Sequence, residues 1–375
     1  MKRSRSGVRA GSPRAGMVAD AATAAALHAE VTVGRAAGFL LDVRVTAAPG
    51  QTVAVMGPSG AGKTTLLGAL AGLVGLDAGR VALDGRVLSG VGTQVAAAQR
   101  GTVLLGQDPR LFPHLSAREN VAFGPRASGV PASAARQTAD DWLARVGLAD
   151  AGDRRPAELS GGQQQRVAIA RALAASPRLV LLDEPLTSLD PVTADGIRTV
   201  LGEQLAGRTC VVVTHDAVDA VALADRVVVL EGGRVSQAGP VRDVLRAPAT
   251  GFVASLAGLN RVVGVAAAGA CAVAGGPSIV GDHGAHVPDG EPVAAVFRPQ
   301  DVRFVLDAAG AAAPANAWRA TVVRLEQTVG GVRVHTAEPA VAVDVATDEV
   351  ADRGLRPGAV VALTVPPAAV RLLPV

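Results

Sequence analysis

Lysine occurs twice in this chain of 375 residues, and one of the two, Lys63, stands in a glycine-rich segment. The segment follows the apolar run Val53–Met56 and precedes a stretch with helical character that begins at Thr65. Its residues are Gly57, Pro58, Ser59, Gly60, Ala61, Gly62, Lys63 and Thr64. Glycines let consecutive backbone N–H groups turn towards one anion, and the N-terminus of the following helix adds its dipole. A compact ammonium also fits between phosphate oxygens better than a planar guanidinium does.

This spacing is typical of a phosphate-binding loop. It predicts that the residues from Gly57 to Thr65 cradle a polyphosphate, that Lys63 reaches its β- and γ-phosphates, and that the Thr64 hydroxyl ligates Mg²⁺. The alternative is an ordinary glycine-rich turn between a strand and a helix.

Two apolar runs end in residues that suit phosphate hydrolysis. Residues 178–185 read as a strand that ends in Asp183 and Glu184, and residues 210–214 as a strand followed by His215. Ligands of α/β proteins bind at the carboxyl ends of parallel strands. We therefore expect Asp183 to hold Mg²⁺, directly or through water, and Glu184 to orient and polarise an attacking water. His215 is interpreted as a γ-phosphate contact, with a structural role as the alternative.

Two further polar segments lie between the glycine-rich segment and the first of these runs. Gln107 ends a predicted buried strand that begins at Thr102, and is either an edge residue or a Mg²⁺ ligand through its carbonyl oxygen. The turn Ser160-Gly161-Gly162-Gln163 opens a predicted helix that runs to Ala175. Ser160 is either a plain N-cap or part of a turn whose amides and helix dipole face an anion.

Composition limits the other functions. The chain is 49% hydrophobic, 18% charged and 2% aromatic, which allows two or three domains with cores of Val, Leu and Ala. Its net charge is +3, but no Lys/Arg stripe with interleaved aromatics appears, so no nucleic-acid partner is predicted. Cys210 and Cys271 are isolated, which predicts neither a disulfide nor a metal framework.

Two segments that could be taken for targeting or membrane segments do not have the required composition. Residues 1–24 are basic and lack an apolar core, so we predict a disordered basic tail rather than a secretory signal, with weak lipid attraction as an alternative. Residues 262–281 are uncharged but rich in Ala and Gly, with breaks that suit loops between short strands. Work at a membrane would therefore need a partner that spans it.

The remaining pattern gives the order of elements. Residues 27–48 and 81–87 predict antiparallel hairpins, the second closed by Asp-Gly. Residues 116–150 look helical, with breaks at Gly124-Pro125 and at residues 129–131, and Trp142 reads as core. From about residue 290 short alternating strands predict a small β-barrel.

Taken in order, these motifs resemble the ATP-binding cassette of ABC transporters over about residues 27–247. The resemblance implies a P-loop NTPase of α/β class, spanning residues 25–248, with an antiparallel β-subdomain and a helical subdomain at about 108–175. It implies ATP hydrolysis with Mg²⁺, in which Lys63, Gln107, Glu184 and His215 are catalytic.

The resemblance also implies a head-to-tail homodimer. ATP on one subunit would be covered by Ser160, Gly161, Gly162 and Gln163 of the other, and Asp190, which we expect to cap a helix before Pro191, joins the nucleotide-binding set. Such a subunit sits peripherally at the cytoplasmic face of the cell membrane. It drives transmembrane permease subunits and serves a solute-binding protein indirectly, and the loop after Gln107 docks on the permease.

The C-terminal part points to a subfamily. Residues 297–302 look like the entry to the regulatory domain of importer ATPases, and residues 315–375 resemble a TOBE/Mop-like, OB-like small barrel. We place a linker and the start of the regulatory region at 249–290 and the barrel at 291–375. The family's adenine-stacking aromatic is missing near residues 34–36, where Arg35 or Phe39 would replace it.

These features are most similar to molybdate importers, so molybdate or a similar oxyanion is the expected solute. Pro366-Pro367 stands where an anion-binding barrel would carry a polar group, which leaves dimerisation as an alternative role for that domain. Ferric iron, sulfate or thiosulfate, polyamines and sugars remain open as solutes. A soluble non-transport ABC ATPase is a remote alternative, because the chain has one cassette and no internal repeat.

Overall fold

The computed structural model describes residues 26–34, 38–283, 287–305 and 315–375. The predicted basic tail at 1–24 and Arg35, one of the two residues considered for adenine stacking, lie outside the described residues. Within these ranges, none of the helices combines the length and the hydropathy that crossing a bilayer requires.

The N-terminal part of the chain is an α/β unit. Its elements in chain order are β1 (Leu27–Gly34), β2 (Leu40–Ala47), β3 (Thr52–Met56), α1 (Lys63–Ala71), β4 (Ala78–Leu83), β5 (Arg86–Gly90), β6 (Thr93–Gln94), β7 (Thr102–Leu105), α2 (Ala117–Ala127), α3 (Ala132–Arg145), α4 (Gly161–Ala174), β8 (Leu179–Asp183), α5 (Pro191–Leu205), β9 (Cys210–Val213), α6 (Ala217–Leu223), β10 (Arg226–Glu231), β11 (Arg234–Pro240), α7 (Val241–Arg246) and α8 (Gly251–Leu256).

The central sheet has six strands in the order β11-β10-β3-β9-β8-β7, and all but β11 run parallel. Strands β3, β8 and β9 are apolar and fully buried, as strands covered on both faces must be. The predicted strand that begins at Thr102 is present as β7, but it lies at the edge of the sheet and buries only Leu105, so its expected burial was wrong. The parallel order brings the carboxyl ends of β3, β7, β8 and β9 to one edge.

A second, antiparallel sheet has the order β2-β1-β4-β5-β6. It contains both predicted hairpins: β1 pairs with β2, and β4 pairs with β5. The β4–β5 turn has positive φ at Asp84 (49°) and Gly85 (78°), which a two-residue Asp-Gly turn of this kind requires.

Helices α2, α3 and α4 form the predicted helical region. Trp142 is buried there at 5% exposure, which confirms its assignment to the core. The predicted break at Gly124-Pro125 was wrong, because α2 continues through both residues to Ala127. A β-carbon at Gly124 would lie 2.7 Å from the Ala175 β-carbon. Gly124 therefore serves helix packing rather than helix termination.

A buried arginine, Arg100, connects helix α1 to strand β5 of the antiparallel sheet. Arg100 is only 2% exposed, and burial lowers the pKa of its guanidinium. It donates to the carbonyls of Ala69 (3.3 Å) and Leu70 (3.1 Å) at the C-terminus of α1, and to the Ser89 hydroxyl (2.7 Å) of β5. A cation at the C-terminal end of a helix also complements the helix dipole. Arg100 thus ties the last turn of α1 to the antiparallel sheet.

We expect Arg100→Met to lower the free energy of unfolding by about 3 kcal/mol, because it leaves several buried carbonyl groups without their donor. Urea unfolding measured without nucleotide tests this. The control is Arg86→Met, an exposed arginine with one bond to the Gln99 carbonyl, for which a change within about 0.5 kcal/mol is expected. Equal losses in the two variants would contradict the role given to Arg100.

The C-terminal part of the chain is almost entirely β. Its elements are β12 (Asn260–Ala267), β13 (Ala270–Ala272), β14 (Ser278–Val280), β15 (Asp282–His283), β16 (Pro292–Phe297), β17 (Arg303–Phe304), β18 (Ala317–Thr328), β19 (Gly331–Ala337), β20 (Val341–Val345), α9 (Thr347–Asp352), β21 (Val360–Thr364) and β22 (Arg371–Pro374). They form two sheets, of order β14-β13-β12-β16-β22-β15 and β17-β21-β18-β19-β20, which share one hydrophobic core.

The boundary of this β unit differs from the one expected at residue 291. Strand β12 pairs antiparallel with β16, and β22 pairs with β16 on its other side, so residues 260–283 already belong to the first sheet. The side chain of Asn260 also bonds both backbone groups of Ala342 in the second sheet (2.8 and 2.7 Å). The region expected to hold a linker therefore contains α8 and four strands.

Candidate phosphate-binding and hydrolytic site

The glycine-rich segment connects β3 to α1, as the sequence predicts, and two of its glycines are required by the backbone. Gly57 has a φ of 155°, and a β-carbon there would lie 2.2 Å from the Leu230 carbonyl oxygen. Gly62, with a φ of 101°, is the N-cap of α1, and a β-carbon there would lie 2.7 Å from Leu41 Cδ1. The loop is thus packed against β2 and β10, with its exposed middle, Pro58 to Gly60, facing outwards.

Lys63 lies over this loop. Its ammonium donates to the carbonyl oxygens of Gly57 (2.7 Å) and Pro58 (2.9 Å). Burial lowers its pKa below the ordinary lysine value, while the charges of Glu184 and Asp183 act in the opposite direction. The Lys63 charge is therefore held at the mouth of the loop and close to both carboxylates.

Asp183 stands at the end of β8 and is 4% exposed. One carboxylate oxygen accepts a hydrogen bond from the Thr64 hydroxyl (3.1 Å), whereas the other is buried without a partner among the described residues. Burial is the main cause that raises the pKa of Asp183. A buried unpaired carboxylate oxygen beside a hydroxyl is a donor set that suits Mg²⁺, which prefers oxygen ligands. The residues present therefore fit the predicted metal ion.

Glu184 turns out of the strand beside Asp183. Its φ is 50°, an uncommon value for a residue with a side chain, and its N–H donates to the Val213 carbonyl of β9 (2.9 Å). The carboxylate accepts from the Thr187 hydroxyl (3.4 Å) and lies 3.5 Å from His215 Nδ1. This backbone turn brings the side chains of Glu184 and His215 together at the edge where the phosphate loop also lies.

A polar network behind His215 is absent from our sequence interpretation. The Thr214 hydroxyl donates to the Asp219 carboxylate (3.0 Å) and accepts from the Asp216 N–H (3.0 Å), and Asp219 accepts from Arg198 of α5 (2.9 Å). These bonds fasten the backbone on both sides of His215. The one sign of this network in the sequence is Asp219, four residues after His215. Its contact with the strand end depends on the short helix α6, which turns Asp219 back towards Thr214.

The turn at Ser160 caps α4. The Ser160 hydroxyl accepts from the Gln163 N–H (3.3 Å), and the Gln163 side chain accepts from the Ser160 N–H (3.0 Å), a reciprocal capping box. A β-carbon at Gly161 would meet nothing within 4 Å, so this face of the turn is open. Among the described residues, no hydrogen bond joins this turn to the phosphate loop of its own chain.

A second missed residue, Gln165, links α4 to the carboxylate loop. It is 1% exposed and donates to the Pro185 carbonyl (3.1 Å), directly after Glu184. On the same side, a β-carbon at Gly162 would lie 3.4 Å from Leu189 Cδ2. Three consecutive glutamines at 163–165 gave no indication in the sequence of which one is buried.

The last predicted residues lie at the same end of the molecule. Gln107 is exposed and lies two residues beyond the end of β7, the strand that pairs with β8. Asp190 caps α5, since its side chain accepts a hydrogen bond from the Thr193 N–H (3.0 Å). Hydrogen bonds from Thr193 lower the pKa of Asp190. Phe39, considered for adenine stacking, packs beside Gly62, where a β-carbon would lie 3.2 Å from its ring.

The fold and this edge define a class. A phosphate loop between a buried parallel strand and a helix, with a buried aspartate on a neighbouring strand and a glutamate beside it, is the arrangement of a P-loop nucleoside triphosphatase. The family model described as ABC transporter matches residues 40–187, which include the loop, the Ser160 turn and both carboxylates.

Related proteins narrow the class. The molybdenum import ATP-binding protein ModC of Mycobacterium tuberculosis is 48% identical over 271 residues, covering 70% of this chain and 73% of that protein. The ferric-ion import ATP-binding protein FbpC of Streptomyces coelicolor is 47% identical over 241 residues, covering 64% and 68%. The corresponding FbpC of Agrobacterium fabrum is 45% identical over 224 residues, covering 59% and 62%. The chain belongs to the ATP-binding proteins of ABC transporters, and it is an ATP-hydrolysing transport ATPase.

A solved structure agrees in fold. It is described as a dimeric post-hydrolysis state of an ATP-binding cassette bound to ADP and Pi. Its sequence is 30% identical, and the structures superpose with a TM-score of 0.52 over 58% of this chain and 99% of the other. The likeness thus covers one whole cassette and leaves the C-terminal sheets outside it.

Proposed function

We propose that this protein is the ATPase subunit of an ABC importer and that molybdate, or a similar small oxyanion, is the solute. The observation that carries the proposal is the similarity to the molybdenum import protein, which extends over 271 residues at 48% identity, against 224 to 241 residues for the ferric-ion proteins named above. The alignment with the molybdenum protein therefore covers more of this chain.

In the proposed site each residue acts on the nucleotide from the strand edge. The amides of the loop and the Lys63 ammonium would hold the phosphates, and Thr64 and Asp183, aided by Gln107, would hold Mg²⁺. The metal ion, when bound, neutralises charge on the phosphate oxygens. Glu184 would accept a hydrogen bond from the attacking water, and His215, held beside Glu184, would contact the γ-phosphate. Asp183 and Glu184 thus divide metal binding and water positioning between adjacent positions.

A second copy of the chain would complete the site. The open face of the Ser160–Gln163 turn presents a helix N-terminus with exposed amides, and it makes no hydrogen bond to the phosphate loop of its own chain among the described residues. A head-to-tail homodimer places this turn over ATP bound to the partner. Loss of the γ-phosphate would then weaken the contact between the two copies, and closure and opening would drive transmembrane permease subunits at the cytoplasmic face of the membrane.

We expect Ser160→Arg to keep ATP binding by each monomer and to prevent ATP-dependent dimerisation, because a long cation would fill the open face that the partner's nucleotide needs. Size-exclusion chromatography with ATP, in a Glu184→Gln background that stops turnover, measures this. A matched control is Ser128→Arg, an exposed serine that ends α2, for which dimerisation is expected to remain. A Ser160→Arg protein that dimerises normally would contradict the shared site.

The identity of the transported solute is tested by uptake measurements in cells of the source organism. Deleting the gene should lower uptake of radiolabelled molybdate by about tenfold or more at low external concentration. Wild-type protein should restore uptake, and the Glu184→Gln variant should not. Uptake of ferric iron serves as the parallel measurement.

Ferric iron is the second candidate, because the ferric-ion import proteins are nearly as similar to this chain over the cassette. A deletion strain that loses iron uptake and keeps molybdate uptake would replace molybdate by iron in the proposal. Uptake of both solutes at the normal rate would remove both candidates.

A further inference from the structure

A cavity of about 550 Å³ lies between the end of the cassette and the first sheet of the C-terminal part. Leu245 and Arg246 at the end of α7 form one wall. The opposite walls come from Phe297 and Arg298 at the end of β16 and from Arg371 at the start of β22. Segments that are far apart in sequence therefore meet here, and none of the lining residues belongs to the phosphate loop.

Three arginines converge on this cavity without an acidic partner. Within the described ranges, the guanidinium groups of Arg246, Arg298 and Arg371 make no hydrogen bond or ion pair. Asp301 also lines the cavity, but no ion pair within 4 Å joins it to any of the three. Two other arginines of the described residues that are not fully exposed do have acidic partners: Arg198 pairs with Asp219, and Arg333 pairs with Asp344. The trio is therefore a concentration of uncompensated positive charge.

The arginines act on one another. Arg371 is half-buried, and its pKa is lowered first by burial and then by the charges of Arg246 and Arg298. Like charges this close cost free energy in the empty cavity, and a negatively charged ligand would relieve that cost. The side chains of Arg246 and Arg298 are exposed, so a ligand from solvent can reach them.

The chemistry of the cavity indicates the ligand class. Guanidinium groups bind tetrahedral oxyanions through paired N–H donors, and three of them match a multiply charged anion. A nucleotide would need a surface for its base, and Phe297, the single aromatic lining residue, is only 1% exposed. The concave shape also favours a small ligand over an extended polyanion.

We propose that Arg246, Arg298 and Arg371 form a binding site for a small multivalent oxyanion that joins α7 of the cassette to β22 of the C-terminal sheet. The site is separate from the nucleotide site, and the proposal does not depend on which solute the transporter carries. Its occupation links the two parts of the chain, because the ligand contacts residues from both.

The test uses the full chain with its nucleotide site filled by saturating Mg-ADP, because a phosphate loop binds oxyanions too. Sulfate, phosphate and molybdate are titrated separately at constant ionic strength set with sodium chloride, with the melting temperature and calorimetric binding as readouts. Wild-type protein should show a saturable rise in melting temperature. Arg298→Gln and Arg371→Gln should weaken binding by about tenfold or more, since each removes a charged donor.

Arg242→Gln is the matched control, because Arg242 lies on the same helix, is exposed and already faces Asp243. It should bind the anions as wild type does. Equal binding of the three anions would define a general oxyanion site, and binding of molybdate alone would define a selective one; either supports the proposal. No saturable response beyond that to chloride, or equal affinity in Arg298→Gln and wild type, would overturn it.

A second comparison separates ligand binding from a structural role. Without multivalent anions, Arg298→Gln should leave the melting temperature unchanged or raise it, because it removes like-charge repulsion. With the anion, the same variant should melt below wild type. If it melts below wild type by the same amount in both conditions, the arginine is structural and the proposed site is wrong. Arg298 is exposed, so this comparison does not depend on the half-buried Arg371 tolerating substitution.

Discussion

The Glu184→Gln variant is expected to bind ATP with nearly unchanged affinity and to hydrolyse it about 100- to 10,000-fold more slowly, the range associated with loss of a positioned general base. The glutamine keeps the size and hydrogen-bonding reach of the side chain, so Thr187 and His215 retain their neighbour. What is lost is the negative charge that polarises the water. Steady-state phosphate release and equilibrium ATP binding, measured on the same preparation, separate the two effects.

The variant should also accumulate as a dimer with ATP, because the γ-phosphate that holds the two copies remains uncleaved. A useful control is Glu203→Gln, a carboxylate on α5 away from the strand edge, which should hydrolyse ATP at the wild-type rate. Steady-state turnover near the wild-type value in Glu184→Gln would remove Glu184 from its proposed role, even if dimerisation were normal.

Lys63→Ala is expected to weaken ATP binding by about 10- to 100-fold, the loss associated with one or two charge-assisted hydrogen bonds. Without nucleotide, the ammonium bonds the Gly57 and Pro58 carbonyls, so its removal should cost the loop little beyond those contacts. The loss should therefore appear in nucleotide affinity rather than in the free energy of unfolding. Fluorescent-nucleotide titration and urea unfolding measure the two quantities.

Lys63→Arg tests the argument about shape. It keeps the charge, and we expect it to bind ATP nearly as poorly as Lys63→Ala, because the planar guanidinium is too broad for the position between Gly57 and Pro58. Lys2→Ala removes the other lysine of the chain and should bind ATP as wild type does. Wild-type affinity in Lys63→Ala would refute the proposed cradle.

The parts of the site that the sequence predicts share a physical origin. Gly57, Gly62 and Lys63 lie within one short segment, and their roles follow from local backbone geometry and charge. Asp183 was located because a run of four apolar residues, Leu179 to Leu182, favours an interior parallel strand, whose end must lie at the ligand edge.

The parts that were missed depend on contacts between distant segments. The Thr214–Asp219–Arg198 network joins a strand end to two helices, and nothing in the local pattern distinguishes Asp219 from an exposed acid. Arg100 follows an alanine-rich turn that gives no sign of its burial, which is explained by its hydrogen bonds to carbonyl groups of α1 and β5. Gly124 suggests a helix break in the sequence, but the structure shows that a glycine is needed there because the helix packs closely against Ala175.

Short strands within residues 262–281 were expected, but their place in the first C-terminal sheet was missed for a related reason. Their many Ala and Gly residues have little intrinsic preference for a strand. Strand β12 is held by pairing with β13 and with β16, which lies beyond β14 and β15 in the sequence. Strand β22, after Pro366-Pro367, pairs with the same β16. Three strands distant in sequence thus define one sheet that no single window of residues shows.

The pairing of β12 with β16 has a practical meaning for anyone dividing the protein. A fragment that stops at residue 290 would carry β12 to β14 without β16. The backbone groups along one side of β12 would then be unpaired, and such an exposed strand edge promotes aggregation. Cutting after Gly258, which precedes β12, removes the sheet entirely and leaves α8 as the last element. The shorter fragment should accordingly be the better-behaved one in solution.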